Sequence, residues 1–355
     1  MAPMTRSRAG EGLRATQSMA RYYAQRASAG LIVSEAINIS SDAVGSPGTP
    51  GLFDAEQVDS WREVTSDAHD MGGHIIAQLW HTGRVGHSIE RDGTLPVAPS
   101  AIAIEGQQHF THEGMKDYET PRALTTDEVS AAVLDYGRAT RNALAAGFDG
   151  VELHAAFGYL PNQFLAASAN RRTDRYGGSI PNRCRFVTEA LDEMIAAAGS
   201  DRVGIKLSPS SPYNGIDDPD PRSLYTHLIG ELNARDLLYV HLMQPMLALD
   251  DYPAWPGDTL EAFGSMIQAP VIANAGYDGA SARKAISSGG ADMVSFARHF
   301  VANPDLPRRF RDGLPLSEPD AKTLYGGGDE GYIDYPDVDG RLEPWTTDPT
   351  ATVAP

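Results

Sequence analysis

The chain has 355 residues, a formal net charge of −18, a 41 % hydrophobic composition and a single cysteine. That length suits one large domain or two ordinary ones, while the negative charge repels phosphate backbones and argues against nucleic-acid binding. One cysteine excludes an intrachain disulfide, a four-cysteine iron–sulfur cluster and a cysteine-ligated zinc site.

In chain order, the opening MAPMT reads as the end of a strand, and a helix is expected over 13–28. GLIVSEA (30–36) is a strand, and Asp54 then caps a helix that displays Val58, Trp61 and Val64. HIIAQLW (74–80) follows as a strand, after which Thr125 and Glu128 have capping-box spacing for the next helix. The remaining strand candidates are DGVELH (149–154), RVGIKLS (202–208), LLYVHLM (237–243), APVIANA (269–275) and ADMVSFA (291–297). Helices are expected near 183–198, 221–234, 279–288 and 299–311. The strands are rich in Val, Ile and Leu without polar alternation, as strands buried on both faces of a parallel sheet are. Repeated βα units with no antiparallel hairpin signal predict a (β/α)8 barrel, with an open doubly wound sheet as runner-up. No strand leads into G-x-G-x-x-G, so a Rossmann dinucleotide site is not indicated.

Residues 1–336 are expected to form this single barrel, with a long excursion at 85–122 able to cover an active site. Residues 337–355 read as an acidic, Pro-containing tail without ordered structure. No run approaches the ~18 apolar residues of a membrane span, and MAPMTRSRAG lacks the apolar stretch of a secretory signal. A cytoplasmic location is expected. The oligomeric state is left open.

Reactive groups of such barrels gather at the C-terminal strand ends. Here those ends give Thr5, Glu35, Ala36, Gln78, Trp80, His81, His154 and Lys206, and the turns after 275 and 297. Neutral hydrogen-bonders dominate, with no nucleophile–base pair and no carboxylate pair. Such a set suits a polar planar ring better than hydrolysis. No metal-ligand spacing occurs. NAGYDG and FARHF, at the ends of the last two strands, are candidates for phosphate binding through backbone N–H groups, with Arg298 adding charge. In VELHAAFGYL (151–160), His154 can donate to a carbonyl oxygen and Tyr159 can deliver a proton to carbon. The plain alternative is a core histidine and a packing tyrosine. His81 and Arg84 are read as structural, His74 and His241 as core residues, Cys184 as a buried apolar residue, and Asp174, Arg175 and Tyr176 as loop-stabilising.

Taken together, MAPMTRSRA (1–9), YYAQRASAGLIVSEA (22–36), AQLWHTGRVGH (77–87), PVAPSAI (96–102), AGFDGVELHAAFGYLPNQFL (146–165), NRRTDRYGGS (170–179), FARHFVANPDL (296–306) and YGGGDEGYIDYP (325–336) resemble the old yellow enzyme family of FMN-dependent ene-reductases. The resemblance implies bound FMN, with NADPH or NADH as hydride donor and a small-molecule substrate. It places Pro3, Thr5, Ala36 and Gln78 around the flavin ring, with Lys206 where the family has an arginine. It places Ala275, Gly276, Ala297 and Arg298 at the phosphate. The family commonly has glycine at 275 and 297, and backbone donors survive alanine there wherever φ is negative. His154 matches the first of two substrate-oxygen donors and Tyr159 the proton donor, while Trp80, Met243 and Tyr325 border the substrate pocket.

Four departures stand out. Phe157 occupies the position of the second donor, usually Asn or His. Met243 and Gln244 replace a Ser–Glu pair, and Pro181 interrupts the usual Glu before NR. The family also carries a segment ahead of the first strand that closes the barrel floor. The expected function is reduction of an activated C=C bond. The alternatives are a specialised biosynthetic flavoenzyme (desaturase, isomerase or dedicated reductase of a bulky intermediate) and a flavin-binding protein with little catalysis.

Overall fold

The computed structural model of the chain describes residues 1–343. Seven parallel strands form its central sheet: β1 (Ile32–Asn38), β2 (Ile75–Trp80), β7 (Gly150–Ala155), β8 (Val203–Leu207), β9 (Tyr239–Met243), β10 (Val271–Asn274) and β11 (Met293–Ser295), in that spatial order. All seven coincide with the strands expected from sequence, trimmed at their ends. Every residue of β1, β2, β7, β8, β9 and β10 is buried, because barrel interior and surrounding helices cover both faces. Their unbroken apolar character follows from this.

The N-terminal residues close the barrel. Ala2 N–H donates to Phe296 O just past β11 at 2.9 Å, and Val33 N–H of β1 donates to Met1 O at 3.1 Å. MAPMT thus takes the eighth stave, and the (β/α)8 architecture is complete.

Helices begin where the caps predict. Asp54 with Gln57, and Thr125 with Glu128, form reciprocal capping boxes, each satisfying backbone donors that a helix start leaves unpaired. Pro181 lies in the first turn of Ile180–Ala198, a position where its missing N–H costs nothing. The helix expected over 299–311 is two, Arg298–Ala302 and Leu306–Asp312. Pro304 forbids continuation, and Asn303 before it is extended at φ −133°, as a residue preceding proline prefers.

The excursion holds what the sequence did not announce. Two-residue strands β3 (Val97–Ala98) and β6 (Arg122–Ala123) pair in parallel, and β4 (Gln108–Thr111) and β5 (Gly114–Asp117) form an antiparallel hairpin. The expectation of no hairpin is therefore corrected. Its turn, His112–Glu113, closes on Gly114 at φ +96°, and only that glycine marked it. The hairpin buries His109 and Thr111 and exposes Phe110 and Met115.

Three arginines fix the C-terminal segment across the barrel. Arg6 donates to the carbonyls of Thr323, Leu324 and Gly331, and Arg8 to those of Thr323, Gly328 and Glu330. Arg26 donates to Phe300 and Val301, and its guanidinium lies 3.6 Å from the Tyr22 ring centroid. Within the segment expected as a tail, Arg308 pairs with Asp339 and Gln25 donates to Leu342 O. Residues 344–355 of that expected tail lie outside the described residues.

Candidate functional site

His154 and Lys206 are register partners on β7 and β8, and Gln78 on β2 is flanked by Ala36 of β1 and Glu152 of β7. Laterally paired residues of parallel strands share a face, so strand register alone sets these groups side by side. Leu79 pairs with Leu153, which brings Trp80 and His154, one residue further along, to the same level. The Tyr159 ring stands edge-on to both, its centroid 4.9 Å from the His154 ring and 4.9 Å from that of Trp80. The three are one cluster at the strand ends.

Burial drives the His154 imidazole down to about 3, helped by the Lys206 charge, so the ring is neutral at ordinary pH. Its Nδ1 is buried without a partner among the described residues. With no acceptor there for a proton, and a cation nearby, the single proton belongs on Nε2. The ring therefore offers one N–H donor. The Tyr159 phenol is pushed well above its usual value by burial and by the Tyr118 and Tyr325 phenols, and it stays protonated. A neutral donor and a weak acid together can hold an oxygen and protonate a carbon.

Lys206 is 4 % exposed. Burial pushes its ammonium down to about 8 against the raising pull of Glu152, and no carboxylate pairs with it among the described residues. A positive charge so placed stabilises negative charge beside it. Gln78 donates Nε2–H to Glu152 Oε1 at 2.7 Å, while Thr5, partly exposed, spends its hydroxyl on no protein group among the described residues. Pro3 lies two residues earlier on the closing stave.

At the other end of the cluster of strand ends, Ala275 and Gly276 have φ of +71° and +77°. Ala297 is at φ −100° and precedes the turn opening at Arg298. Among the described residues, the backbone N–H groups of Ala275, Gly276, Ala297 and Arg298 go to no protein carbonyl, and Arg298, which is exposed, makes no ion pair. Backbone N–H groups left unpaired at the ends of adjacent strands are donors suited to an anion. The condition of negative φ thus holds at Ala297 and fails at Ala275, where an L-residue takes the glycine conformation. Anion donors at one end, and a hydroxyl, an amide and an ammonium at the other, fit a phosphate-bearing planar heterocycle such as FMN.

Phe157 adopts φ +57°. Its N–H donates to Ser208 Oγ at 2.9 Å, its carbonyl accepts from Asn214 Nδ2 at 2.7 Å, and its ring meets Tyr213 at 5.4 Å. Met243 is buried at the end of β9, with its carbonyl taken by Thr259. Tyr325 is 61 % exposed on the segment that Arg6 and Arg8 hold.

The structural readings agree with the observed contacts except at His74, which is not a core residue: it precedes β2 with its side chain exposed, 3.9 Å from Asp149. His81 accepts Gly83 N–H on Nδ1, and burial lowers it to about 3. Arg84 ties together the carbonyls of Ile102, Asn214 and Gly215. Asp174 pairs with Arg172, while Tyr176 and Arg175 bind Glu189. Burial raises the Cys184 thiol to about 12. Sequence reading passed over Glu152, whose only signal was an acid inside an apolar strand, and Tyr118, which lies in the excursion and donates to Asn214 Oδ1 at 3.5 Å. His241 is fully buried as expected, but it is hydrogen-bonded to Glu152 and Ser295.

Comparison with known proteins agrees with this geometry. The model of the NADH:flavin oxidoreductase / NADH oxidase family matches residues 1–317. A probable flavin mononucleotide-dependent alkene reductase of Leishmania infantum is 41 % identical over 347 residues, covering 95 % of this chain and 92 % of that protein. The rice (Oryza sativa subsp. japonica) 12-oxophytodienoate reductase 1 is 40 % identical over 340 residues, covering 95 % and 88 %. Among solved structures, the old yellow enzyme homologue from Zymomonas mobilis superposes with a TM-score of 0.90 at 41 % identity, over 95 % of this chain and 94 % of that one. Morphinone reductase in complex with tetrahydroNAD gives 0.89 at 45 % identity, over 96 % and 93 %. The chain belongs to the old yellow enzyme family of FMN-dependent NAD(P)H oxidoreductases.

Proposed function

We propose that this enzyme reduces the C=C bond of α,β-unsaturated carbonyl compounds, taking hydride from NADPH or NADH, and that it works in the cytoplasm on small molecules without nucleic-acid partners. When bound, FMN supplies the ring that accepts and then donates the hydride. The chain supplies the rest. Ala275, Gly276, Ala297 and Arg298 hold the phosphate, while Pro3, Thr5, Ala36 and Gln78 border the ring and Lys206 adds a charge at its edge. His154 Nε2–H binds the substrate's carbonyl oxygen and stabilises the charge that builds there as hydride reaches the far alkene carbon. Tyr159 then gives its phenolic proton to the carbon next to the carbonyl. Trp80, Phe157, Met243 and Tyr325 border the substrate.

The observation that carries this reading is the His154–Tyr159–Trp80 cluster, in which a neutral donor and a protonated phenol share one space. Relatives that are reductases by name favour it over the desaturase, isomerase and non-catalytic readings. Anaerobic stopped-flow, with NADPH or NADH and then cyclohexenone, tests it on the wild type and Tyr159→Phe. The variant should reduce its flavin at the wild-type rate and reoxidise it with the enone at least tenfold more slowly. Wild-type flavin that no enone reoxidises would overturn the reading.

A further inference from the structure

Beneath the candidate ring site, a chain of hydrogen bonds crosses five strands through the barrel interior. Asn274 on β10 donates Nδ2–H to Ser295 Oγ on β11 at 2.9 Å. Ser295 Oγ lies 2.7 Å from His241 Nε2 on β9, and His241 Nδ1 lies 2.8 Å from Glu152 Oε2 on β7. Glu152 Oε1 accepts from Gln78 Nε2 on β2 at 2.7 Å. Glu152 and His241 have no solvent exposure, and Gln78 has 2 %.

The protons in this chain can be ordered by elimination. The Ser295 hydroxyl can accept from Asn274 and still either accept from or donate to His241 Nε2 at 2.7 Å, so the order is set from the carboxylate end. Burial lowers the His241 imidazole, and because a carboxylate can only accept, the nitrogen facing Glu152 at 2.8 Å, Nδ1, carries a proton and donates to it. Burial alone would raise Glu152, but His241, Lys206 and Gln78 outweigh it and its pKa is lowered. It is a carboxylate that accepts on both oxygens. A carboxylate can take only the NH2 side of the Gln78 amide. The Oε1 of Gln78, with no protein donor among the described residues, is left to face outward.

We propose that Glu152 and His241 are positioning residues for the cofactor: through this chain they lock Gln78 as an acceptor and so select the ring edge that carries an N–H. This inference rests on the FMN reading above. Oxidised flavin has one ring N–H, at N3, so the locked acceptor has a single match. The same chain ties the strand ends of the phosphate cradle, through Asn274 and Ser295, to the ring edge at Gln78.

The test uses apoprotein reconstituted with FMN labelled with 15N at N3, read by NMR, together with the FMN dissociation constant. In wild type the N3–H signal should be downfield and slow to exchange. In Glu152→Gln the Gln78 amide is free to turn over, so the N3–H signal should move upfield or exchange away, with FMN affinity about tenfold weaker. Ser295→Ala breaks the chain at its far end and should shift the signal in the same direction by less; it serves if Glu152→Gln does not fold. A purely structural role would weaken FMN binding while leaving the N3–H signal of the bound fraction unmoved, and that result overturns the proposal. A wild type that binds FMN with an exposed, rapidly exchanging N3–H overturns it as well. A wild type that binds no FMN instead refutes the FMN reading on which the proposal rests.

Discussion

Replacing Phe157 by Asn tests how the altered oxygen site works, and its magnitudes can be worked from two opposing terms. At φ +57° the backbone sits in the left-handed region, which costs an ordinary L-residue about 1–2 kcal/mol and asparagine less. Against that, the substitution removes the ring contact with Tyr213 at 5.4 Å, worth about 0.5–1.5 kcal/mol. The terms nearly cancel, so stability should stay within about 1 kcal/mol, a change in Tm of about 2 °C or less. The backbone itself stays in place, because Ser208 and Asn214 hold the N–H and the carbonyl of residue 157 rather than its ring.

Activity has no such cancellation. On the proposed reading a single donor, His154 Nε2–H, serves the substrate oxygen. A second donor three residues on can restore about 3 kcal/mol, roughly a hundredfold in rate. The assay is reoxidation of reduced enzyme by cyclohexenone, measured by stopped-flow for wild type, Phe157→Asn and Phe157→Leu. Only the asparagine variant should gain, by tenfold or more, with Tm unchanged. Equal rates for the two variants, both folded, would show that position 157 acts through shape and that the single-donor argument is wrong.

Three further outcomes follow from the same structure. Lys206, lowered to about 8 by burial, carries its charge below that pH and loses it above; flavin reduction by NADPH should therefore slow as pH rises through about 8, whereas Lys206→Arg should stay flat to about pH 10, since guanidinium does not titrate there. His154, at about 3, should contribute no inflection above pH 5. Ala275→Gly removes a left-handed strain of about 1–2 kcal/mol, partly offset by about 0.4–1 kcal/mol of unfolded-chain entropy; thermal melts should show a gain of about 1 °C with FMN binding retained, and a lower Tm would refute the strain argument.

The barrel was legible because six of its strands are buried on both faces, and this writes an apolar run into the sequence at each of them. Legibility failed where structure depends on contacts distant in sequence. The β4–β5 hairpin has mixed residues because only one of its faces is covered, with Phe110 and Met115 left in solvent. Arg6 and Arg8 act on carbonyls more than 300 positions away, a distance no local pattern reports. The break at 303–305 was visible in principle, since Pro304 stood inside the expected helix.

The site divides along the same line. His154, Gln78 and Lys206 were readable as strand-end residues, because in a parallel barrel register converts sequence position into proximity, and Tyr159 was readable one short loop beyond His154. Glu152 was not, since an acid within VELH reads as an interruption of an apolar strand until its partners on β2 and β9 are known. A carboxylate with no solvent exposure and two hydrogen-bond donors from other strands is costly to place and strongly destabilising to leave half-paired. That cost is why it is informative. The residues that touch a ligand can be matched by motif, whereas the residues that orient them emerge only once the strands are laid side by side, and here they fix which way a single amide faces.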